Sequence, residues 1–422
     1  MLCNNHNNMK EIIENSKTNG VASLVVCLLI LTTLLSIFAL YSPFYSSITT
    51  KLQINPRNPS IIHPQKDKNA HCDLFDGQWV EDSKGFPLYT NATCPTIPTS
   101  KDCFLHGRND KDFLYWRWKP HKCKLPRFEL TTFYKIMRNK RLAFIGDSLA
   151  RNQMESLLCL ISQEEAPIDV YKDAKDRSRT WFFPRNNFTL MVLWTRFLVK
   201  GVEKGGGVFD LHLDEVDENW AHNVSQGLVD YAIVSSAQWY FKKNYLYEGR
   251  KLIGCLYCNQ INLTQFKVSF ASGKAFQTTL RYINSCKKCN DMVTLVRTIS
   301  PSHFENGTWK TGGNCERSKP YNTTMVENLL VVSKSGLEWE VRNTQMQEIE
   351  RAVKEAGIKR QRKIRALDIT RAMLMRPDGH PGSHWRDKKK KGFNDCVHWC
   401  MPGPIDVWND LLLALLRRVH IL

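Results

Sequence analysis

Two short clusters in this chain have the residue types for acyl-transfer chemistry. Gly146-Asp147-Ser148 closes an apolar run, and Asp395-Cys396-Val397-His398 follows some 250 residues later. A serine hydroxyl at its ordinary pKa is a poor nucleophile. It needs a base within hydrogen-bond reach, and that base needs an orienting group. Of the 12 histidines, His398 alone has an aspartate three residues before it. Within one tight loop that spacing aims the carboxylate at Nδ1–H and leaves Nε2 for the serine. Neither cluster decides the matter by itself. Gly-Asp-Ser arises by chance in about one chain in ten of this length, and Asp147 and Ser148 are also ordinary helix-capping residues.

The elements around the clusters favour the chemical reading. Leu142–Ile145 is an apolar run of buried-strand type, and Met154, Leu157, Leu158 and Ile161 then recur at helical spacing. Further buried strands are expected at Tyr231–Val234, Met292–Ile299 and Ile364–Ile369, with helices at Asn152–Ser162, Asn343–Ala356 and Val407–Val419. Apolar strands alternating with helices imply an α/β fold, a mostly parallel sheet covered on both faces. Sites in such sheets lie at the carboxyl ends of the strands, which is where Ser148 would stand.

Organisation upstream is read from composition. Val21–Leu40 is 20 residues without a charge, long enough to cross a hydrocarbon core and too long for the usual cleaved signal peptide. It is expected to be an uncleaved anchor behind a tail at 1–20. A Pro-containing stem follows at 41–70, then a Cys- and Trp-rich, loop-rich subdomain at 71–127 and the main domain at 128–422. Six Asn-x-Ser/Thr sequons, at Asn91, Asn187, Asn223, Asn262, Asn306 and Asn322, all follow the span. Of 14 cysteines, Cys3 and Cys27 lie in the tail and span, leaving twelve beyond. That density in an oxidising lumen reads as disulfides. Cys255-x-x-Cys258 and Cys286-x-x-Cys289 have zinc-ribbon spacing, but cross-pairing of the two motifs as disulfides is the favoured reading, with no metal site. The net charge of +18, with a basic run at 386–391, reads as a solvated surface, with anionic lipid or acidic polysaccharide as the other options. A lumenal address excludes nucleic acid.

The blocks "CDLFDGQWV", "DFLYWRWKPHKC", "GDSLARNQMESLLCLIS", "SPSHFENGTWKTGGNC" and "NDCVHWCMPGPIDVWND" resemble the plant trichome birefringence-like family of polysaccharide O-acetyltransferases, in order over about residues 71–415. "YKDAKDRSRTWFFP" and "AMLMRPDGHPGSHW" resemble the branch containing xyloglucan O-acetyltransferases, with mannan-acetylating members close by. The resemblance implies a Golgi type II membrane protein. It implies an SGNH/GDSL-like three-layer α/β/α PC-esterase core in which Ser148 is the nucleophile, His398 the base and Asp395 the orienting carboxylate. No bound cofactor is implied. The acetyl donor, acetyl-CoA or an acetylated intermediate, is a substrate, and a hemicellulose, foremost the galactosyl residues of xyloglucan side chains, is the acceptor. Mannan acetylation, an acetylesterase and a wall-polysaccharide-binding protein are the rival readings.

Around the triad, the Ser148 N–H at a helix start suits an oxyanion. Arg151 could add charge or sit in a salt bridge behind the site, and Asn152, Gly146 and Asp147 complete the support set. Trp239, Gln238 and Trp399 are the substrate-contact candidates, with Trp116 and Trp118 as further aromatic ones. Many relatives carry Asn-x-His-Trp where this chain has Ser236-Ala237-Gln238-Trp239, which removes two side-chain donors there. The family positions imply the pairs Cys72–Cys123, Cys94–Cys159, Cys103–Cys400 and Cys315–Cys396.

Overall fold

The computed structural model describes residues 32–33, 72–308, 311–332, 334–357, 363–385 and 392–421. Chain contacts separate residues 1–66 from a compact unit spanning Asp67–Leu422. Apart from Thr32 and Thr33, the expected anchor Val21–Leu40 lies outside the described residues, as do the tail, the stem and the basic run 386–391. Among the described residues no helix is long and apolar enough to cross a membrane.

The compact unit opens with an antiparallel ribbon, β1 (Gly77–Glu81) and β2 (Trp116–Pro120). Helix α1 (Leu130–Met137) leads into β3 (Arg141–Gly146), and α2 (Ser148–Ile161) leaves one residue later. There follow β4 (Ile168–Lys172), β5 (Arg179–Phe183), β6 (Phe188–Trp194), β7 (Val199–Gly205), β8 (Val208–Val216), α3 (Glu218–Ser225) and β9 (Tyr231–Ser235). The order then continues with β10 (Asn244–Glu248), β11 (Lys251–Leu256), α4 (Val268–Ser285), β12 (Val293–Arg297), α5 (Thr323–Val332) and α6 (Lys334–Glu355). Strand β13 (Ile364–Leu367), the short α7 (Thr370–Leu374) and α8 (Asp406–Ile421) complete it.

Seven strands form the central sheet in the order β13-β12-β9-β3-β6-β5-β4. The first five run parallel, and β5 and β4 add an antiparallel edge. Strand β3 shows why the sheet lies between two helical layers. Leu142 and Phe144 point to one face, packed with Phe133, Met154 and Leu411 of α1, α2 and α8. Ala143 and Ile145 point to the other, packed with Trp220, Phe276 and Ile349 of α3, α4 and α6. All four β3 residues are fully buried, so a continuous apolar run rather than an alternating one was the correct signature.

All four expected strands and three expected helices are present. Unforeseen are the β1–β2 ribbon, strands β4 to β6 of the central sheet, and a further sheet, β11-β10-β8-β7, with its own apolar cluster around Phe197, Phe209, Tyr240 and Leu246. Along the central sheet the chain moves from β3 to the β6 side first and to the β9 side afterwards. Ser148 therefore emerges at the reversal point of strand order, where the loops after neighbouring strands diverge and leave a crevice.

Disulfides join Cys72–Cys123, Cys94–Cys159, Cys103–Cys400 and Cys315–Cys396. The remaining four cysteines depart from the expected cross-pairing: Cys255 bonds Cys258, and Cys286 bonds Cys289. The intervening helix explains it. Helix α4 has 18 residues, a rise of about 27 Å, and the two motifs stand at its opposite ends. Bridging requires Cα atoms within about 7 Å, which each motif meets internally at 6.0 and 5.3 Å.

Candidate active site

Gly146 meets Trp194 of β6 on one side and Ser235 of β9 on the other. A Cβ at position 146 would run into the Ser235 carbonyl oxygen and the Ala150 methyl, so a glycine is what lets the strand end this close to its neighbour. Asp147 then caps α2, its Oδ1 accepting the Leu149 N–H at 3.0 Å. With that donor engaged, the Ser148 N–H remains the first-turn donor available to an oxyanion. Asp147 is therefore the capping residue and Gly146 the steric one; neither supplies an oxyanion contact.

A buried charge couple lies beneath this turn. Arg297, at the end of β12, is 2 % exposed and donates to Ser235 Oγ at 2.8 Å and to the Thr298 carbonyl at 3.2 Å. Burial pushes its pKa down to about 10, with the Asp147 charge opposing. Burial in turn raises the Asp147 carboxyl, and the Arg297 charge pulls it back.

Asp395 and His398 share one loop. The Asp395 carboxylate accepts Nδ1–H of His398, at 3.1 Å to Oδ1 and 2.9 Å to Oδ2. Oδ1 also accepts the backbone N–H groups of Val397 (3.1 Å) and His398 (3.0 Å). Burial alone would raise this carboxyl, but the His398 charge and these donors outweigh it and hold it well below the usual carboxylate range. It is an acceptor at any working pH. With Nδ1 committed to Asp395, Nε2 is the ring nitrogen left to exchange a proton.

The loop is braced from behind. His380 Nδ1 lies 2.6 Å from the His398 carbonyl, and its ring stacks on Trp399 at 4.1 Å between centroids. His303 Nδ1 stands 2.7 Å from His380 Nε2. Burial, then the neighbouring His303, drives the His380 pKa well below that of a free imidazole, so a neutral ring donates to the carbonyl. Asp395 exchanges backbone hydrogen bonds with Gly382, at 2.9 and 2.8 Å. The Cys103–Cys400 and Cys315–Cys396 bonds pin the segment on both sides of His398. No sequence spacing linked His303, His380 and Arg297 to the site; only the assembled loops do.

Four expected roles change. Asn152 is fully buried and grips the backbone next to His398, its Oδ1 accepting the Trp399 N–H at 2.9 Å and its Nδ2 facing the Trp399 carbonyl at 3.4 Å. It is a positioning residue rather than an oxyanion donor. The Arg151 guanidinium turns to Glu155 (2.7 Å) and to the Asp176 carbonyl, because an acid one helical turn away competes for it. Trp399 is 0 % exposed, with Nε1 donating to Ser300 Oγ at 2.8 Å, and it contacts no sugar. Trp118 is likewise a core residue, its indole N–H on the Leu74 carbonyl. Trp239 and Gln238 do line the site, although the Gln238 amide is held by the Ser300 carbonyl at 2.8 Å.

Ser148, Asp395 and His398 share the wall of a chamber of about 530 Å³, whose lining also includes six aromatic rings, Trp239, Phe241, Tyr257, Phe304, Trp385 and Phe393, together with Lys242 and Lys243. A second chamber of about 300 Å³ is lined by the same three residues together with Arg151, Arg177 and Trp194. Flat apolar faces suit the C–H faces of sugars, and a carboxylate–imidazole pair beside a serine at a helix start is equipped for acyl transfer.

The arrangement defines a serine acyl-transfer or ester-cleaving enzyme on a parallel α/β sheet. Residues 125–415 match the PC-esterase family, described as a GDSL/SGNH-like acyl-esterase family found in Pmr5 and Cas1p, and residues 70–124 match the PMR5 N-terminal domain. The chain belongs to the PC-esterase family. It is 52 % identical over 394 residues to xyloglucan O-acetyltransferase 4 of Populus trichocarpa, covering 92 % of this chain and 91 % of that one. Xyloglucan O-acetyltransferase 2 of Arabidopsis thaliana is 46 % identical, covering 91 % and 89 %. Protein trichome birefringence-like 19 of Arabidopsis thaliana is 38 % identical, covering 97 % and 96 %.

Proposed function

We propose that this protein transfers acetyl groups to hydroxyls of a neutral hemicellulose, the galactosyl residues of xyloglucan side chains, working in the Golgi lumen behind the Val21–Leu40 anchor. The observation that carries the reading is the meeting of Ser148 with the Asp395–His398 pair in one aromatic-walled chamber. The names of the most similar relatives supply the polysaccharide.

The reaction runs in two halves. Ser148 Oγ attacks the acetyl carbonyl while His398 Nε2 takes its proton, and the Ser148 N–H receives the developing oxyanion. The bond to the donor's leaving group breaks, His398 returns the proton to that group, and acetyl-Ser148 remains. A sugar hydroxyl then enters, His398 deprotonates it, the ester carbonyl is attacked again, and Ser148 recovers its proton. Asp395 keeps the imidazole in the tautomer with Nδ1–H throughout and stabilises the imidazolium. Water would intercept the intermediate, so the aromatic chamber favours transfer by filling with sugar.

Lumenal exposure accords with six disulfides and with the exposed positions of five sequon asparagines, Asn91, Asn187, Asn262, Asn306 and Asn322, as glycan acceptors; Asn223 is half-buried. The decisive experiment incubates the full-length protein with an acetyl donor and, separately, xyloglucan, mannan and xylan oligosaccharides, reading products by mass. Xyloglucan should gain 42 Da per acetyl group (about one such mass step per transfer), and Ser148→Ala should gain none. Transfer to mannan instead, free acetate without transfer, or acetylation that survives Ser148→Ala would each overturn the proposal.

A further inference from the structure

Two Cys-x-x-Cys motifs stand outside the mechanism, and each closes into its own four-residue ring. The Cys286–Cys289 ring follows α4, and both of its sulfurs lie against the Val224 carbonyl of α3. Neither cysteine, nor the residues between them, line the triad chamber. The Cys255–Cys258 ring differs, because Tyr257 inside it lines that chamber together with Ser148 and His398.

The backbone shows what the ring imposes. Three residues of extended strand span about 10 Å, whereas the Cα atoms of Cys255 and Cys258 are 6.0 Å apart. Strand β11 therefore turns sharply where it ends at Leu256. Tyr257 takes the third position of that turn with a left-handed φ of 51°. Glycine or asparagine is usual there, and a bulky side chain is disfavoured. The neighbouring chain holds the two cysteines in place. Cys255 donates its N–H to the Thr264 carbonyl and accepts the Phe266 N–H, both at 2.9 Å. The Gln265 side-chain amide donates to the Cys258 carbonyl at 2.8 Å.

The tyrosine itself is unengaged. Of the six aromatic rings lining the chamber, Trp239 packs edge-on against Phe197 and Phe209, and Trp385 packs against Phe393. Phe241 and Phe304 have partners as well. Among the described residues, Tyr257 is the ring of the six whose side chain makes no hydrogen bond, ion pair or ring contact, and it is 48 % exposed. Burial raises its pKa, so the hydroxyl stays neutral, a donor and an acceptor on a flat apolar ring. A disfavoured backbone conformation that holds an unpartnered phenol beside the nucleophile points to a bound molecule.

We propose that Tyr257 contacts the glycan acceptor and helps set its affinity, and that the Cys255–Cys258 ring is the positioning device that keeps it in the chamber. This assignment rests on the acetyl-transfer reading above and names one residue that reads the acceptor. The phenol face lies against a sugar, and its hydroxyl exchanges a hydrogen bond with a sugar hydroxyl. The disulfide stays closed through turnover and takes part in no covalent step.

The test uses the full-length protein with 4-nitrophenyl acetate as acetyl donor. It reads acetylation of xyloglucan oligosaccharides by mass, and release of 4-nitrophenolate in the absence of sugar. Tyr257→Ala should raise KM for the oligosaccharide about tenfold. Tyr257→Phe should raise it about threefold, the loss of one neutral hydrogen bond. Ester cleavage without sugar should stay within about twofold in both, which shows the triad intact. The double variant Cys255→Ser/Cys258→Ser should match Tyr257→Ala. Combined with Tyr257→Ala it should change KM no further, because the ring acts through the tyrosine. Cys286→Ser/Cys289→Ser, which opens the other ring, should leave KM unchanged. An unchanged KM in Tyr257→Ala, with transfer intact, overturns the contact. Effects that add in the combined variant, or an equal rise on opening Cys286–Cys289, overturn the positioning role. Ser148-dependent ester cleavage with no transfer to xyloglucan by the unaltered protein would instead overturn the acetyl-transfer reading itself.

Discussion

Asn152→Ala tests whether the nucleophile's helix sets the position of the base. Asn152 sits one turn after Ser148 on α2 and holds the residue after His398 by both backbone groups. Truncation leaves the buried Trp399 N–H without an acceptor, on the order of 1–3 kcal/mol, and removes the weaker 3.4 Å bond, about 0.5–1 kcal/mol more. The total, about 2–4 kcal/mol, corresponds to a Tm lower by about 3–6 °C when the usual unfolding entropy per residue is scaled to a unit of this size. The catalytic consequence is larger. If the His398 loop relaxes by about 1 Å, kcat should fall about 100-fold. KM for the acceptor should stay within about twofold, because a fully buried side chain touches no sugar. Xyloglucan oligosaccharide acetylation, read by mass at a temperature well below both melting points, separates the two effects. A variant that melts lower yet retains kcat within about twofold would refute the coupling between α2 and the loop.

Trp239→Ala should raise KM for xyloglucan oligosaccharides about tenfold, the loss expected of one aromatic contact, with a smaller change in kcat; an unchanged KM would remove Trp239 from the acceptor chamber. Burial lifts the Asp410 carboxyl to about 7, above the ordinary unfolded value of about 3.9. The folded protein therefore binds that proton more tightly, and stability falls as pH rises through this window. Asp410→Asn keeps an acceptor for the Phe128 N–H, bonded at 2.7 Å, and should raise Tm most at pH 8, less at pH 5 and least near pH 4, as the carboxyl becomes protonated in both states; equal gains throughout would contradict it. Opening the Cys315–Cys396 bond, which closes a separation of 81 residues, should cost on the order of 4 kcal/mol and lower kcat with every triad residue intact. Full activity of a demonstrably reduced enzyme would break the link between the bond and the His398 loop.

Where a signal is local, the chain is readable in advance. Strand β3 and helix α2 are legible because burial on both faces requires a continuous apolar run and because Asp147 caps the helix within two residues. Asp395 and His398 are legible because three residues in one turn impose their geometry. The second sheet was not, for a physical reason: β7 buries Val199 and exposes the rest, so pairing of backbone groups rather than side-chain alternation makes it a strand. Arg151 shows another limit. Its neighbour Glu155 is visible at i+4, but whether an oxyanion or an acid wins the guanidinium depends on the space around both. The fates of Asn152 and Trp399 were settled by a contact spanning 247 positions, beyond the reach of any local pattern.

The long tethers carry a consequence in time. Asn152 waits for Trp399, 247 positions later, and Cys103 waits for Cys400, 297 positions later. During synthesis the serine exists for most of that interval without His398 to take its proton. The nucleophile's reactivity therefore arrives late, with the C-terminal loop that completes the triad.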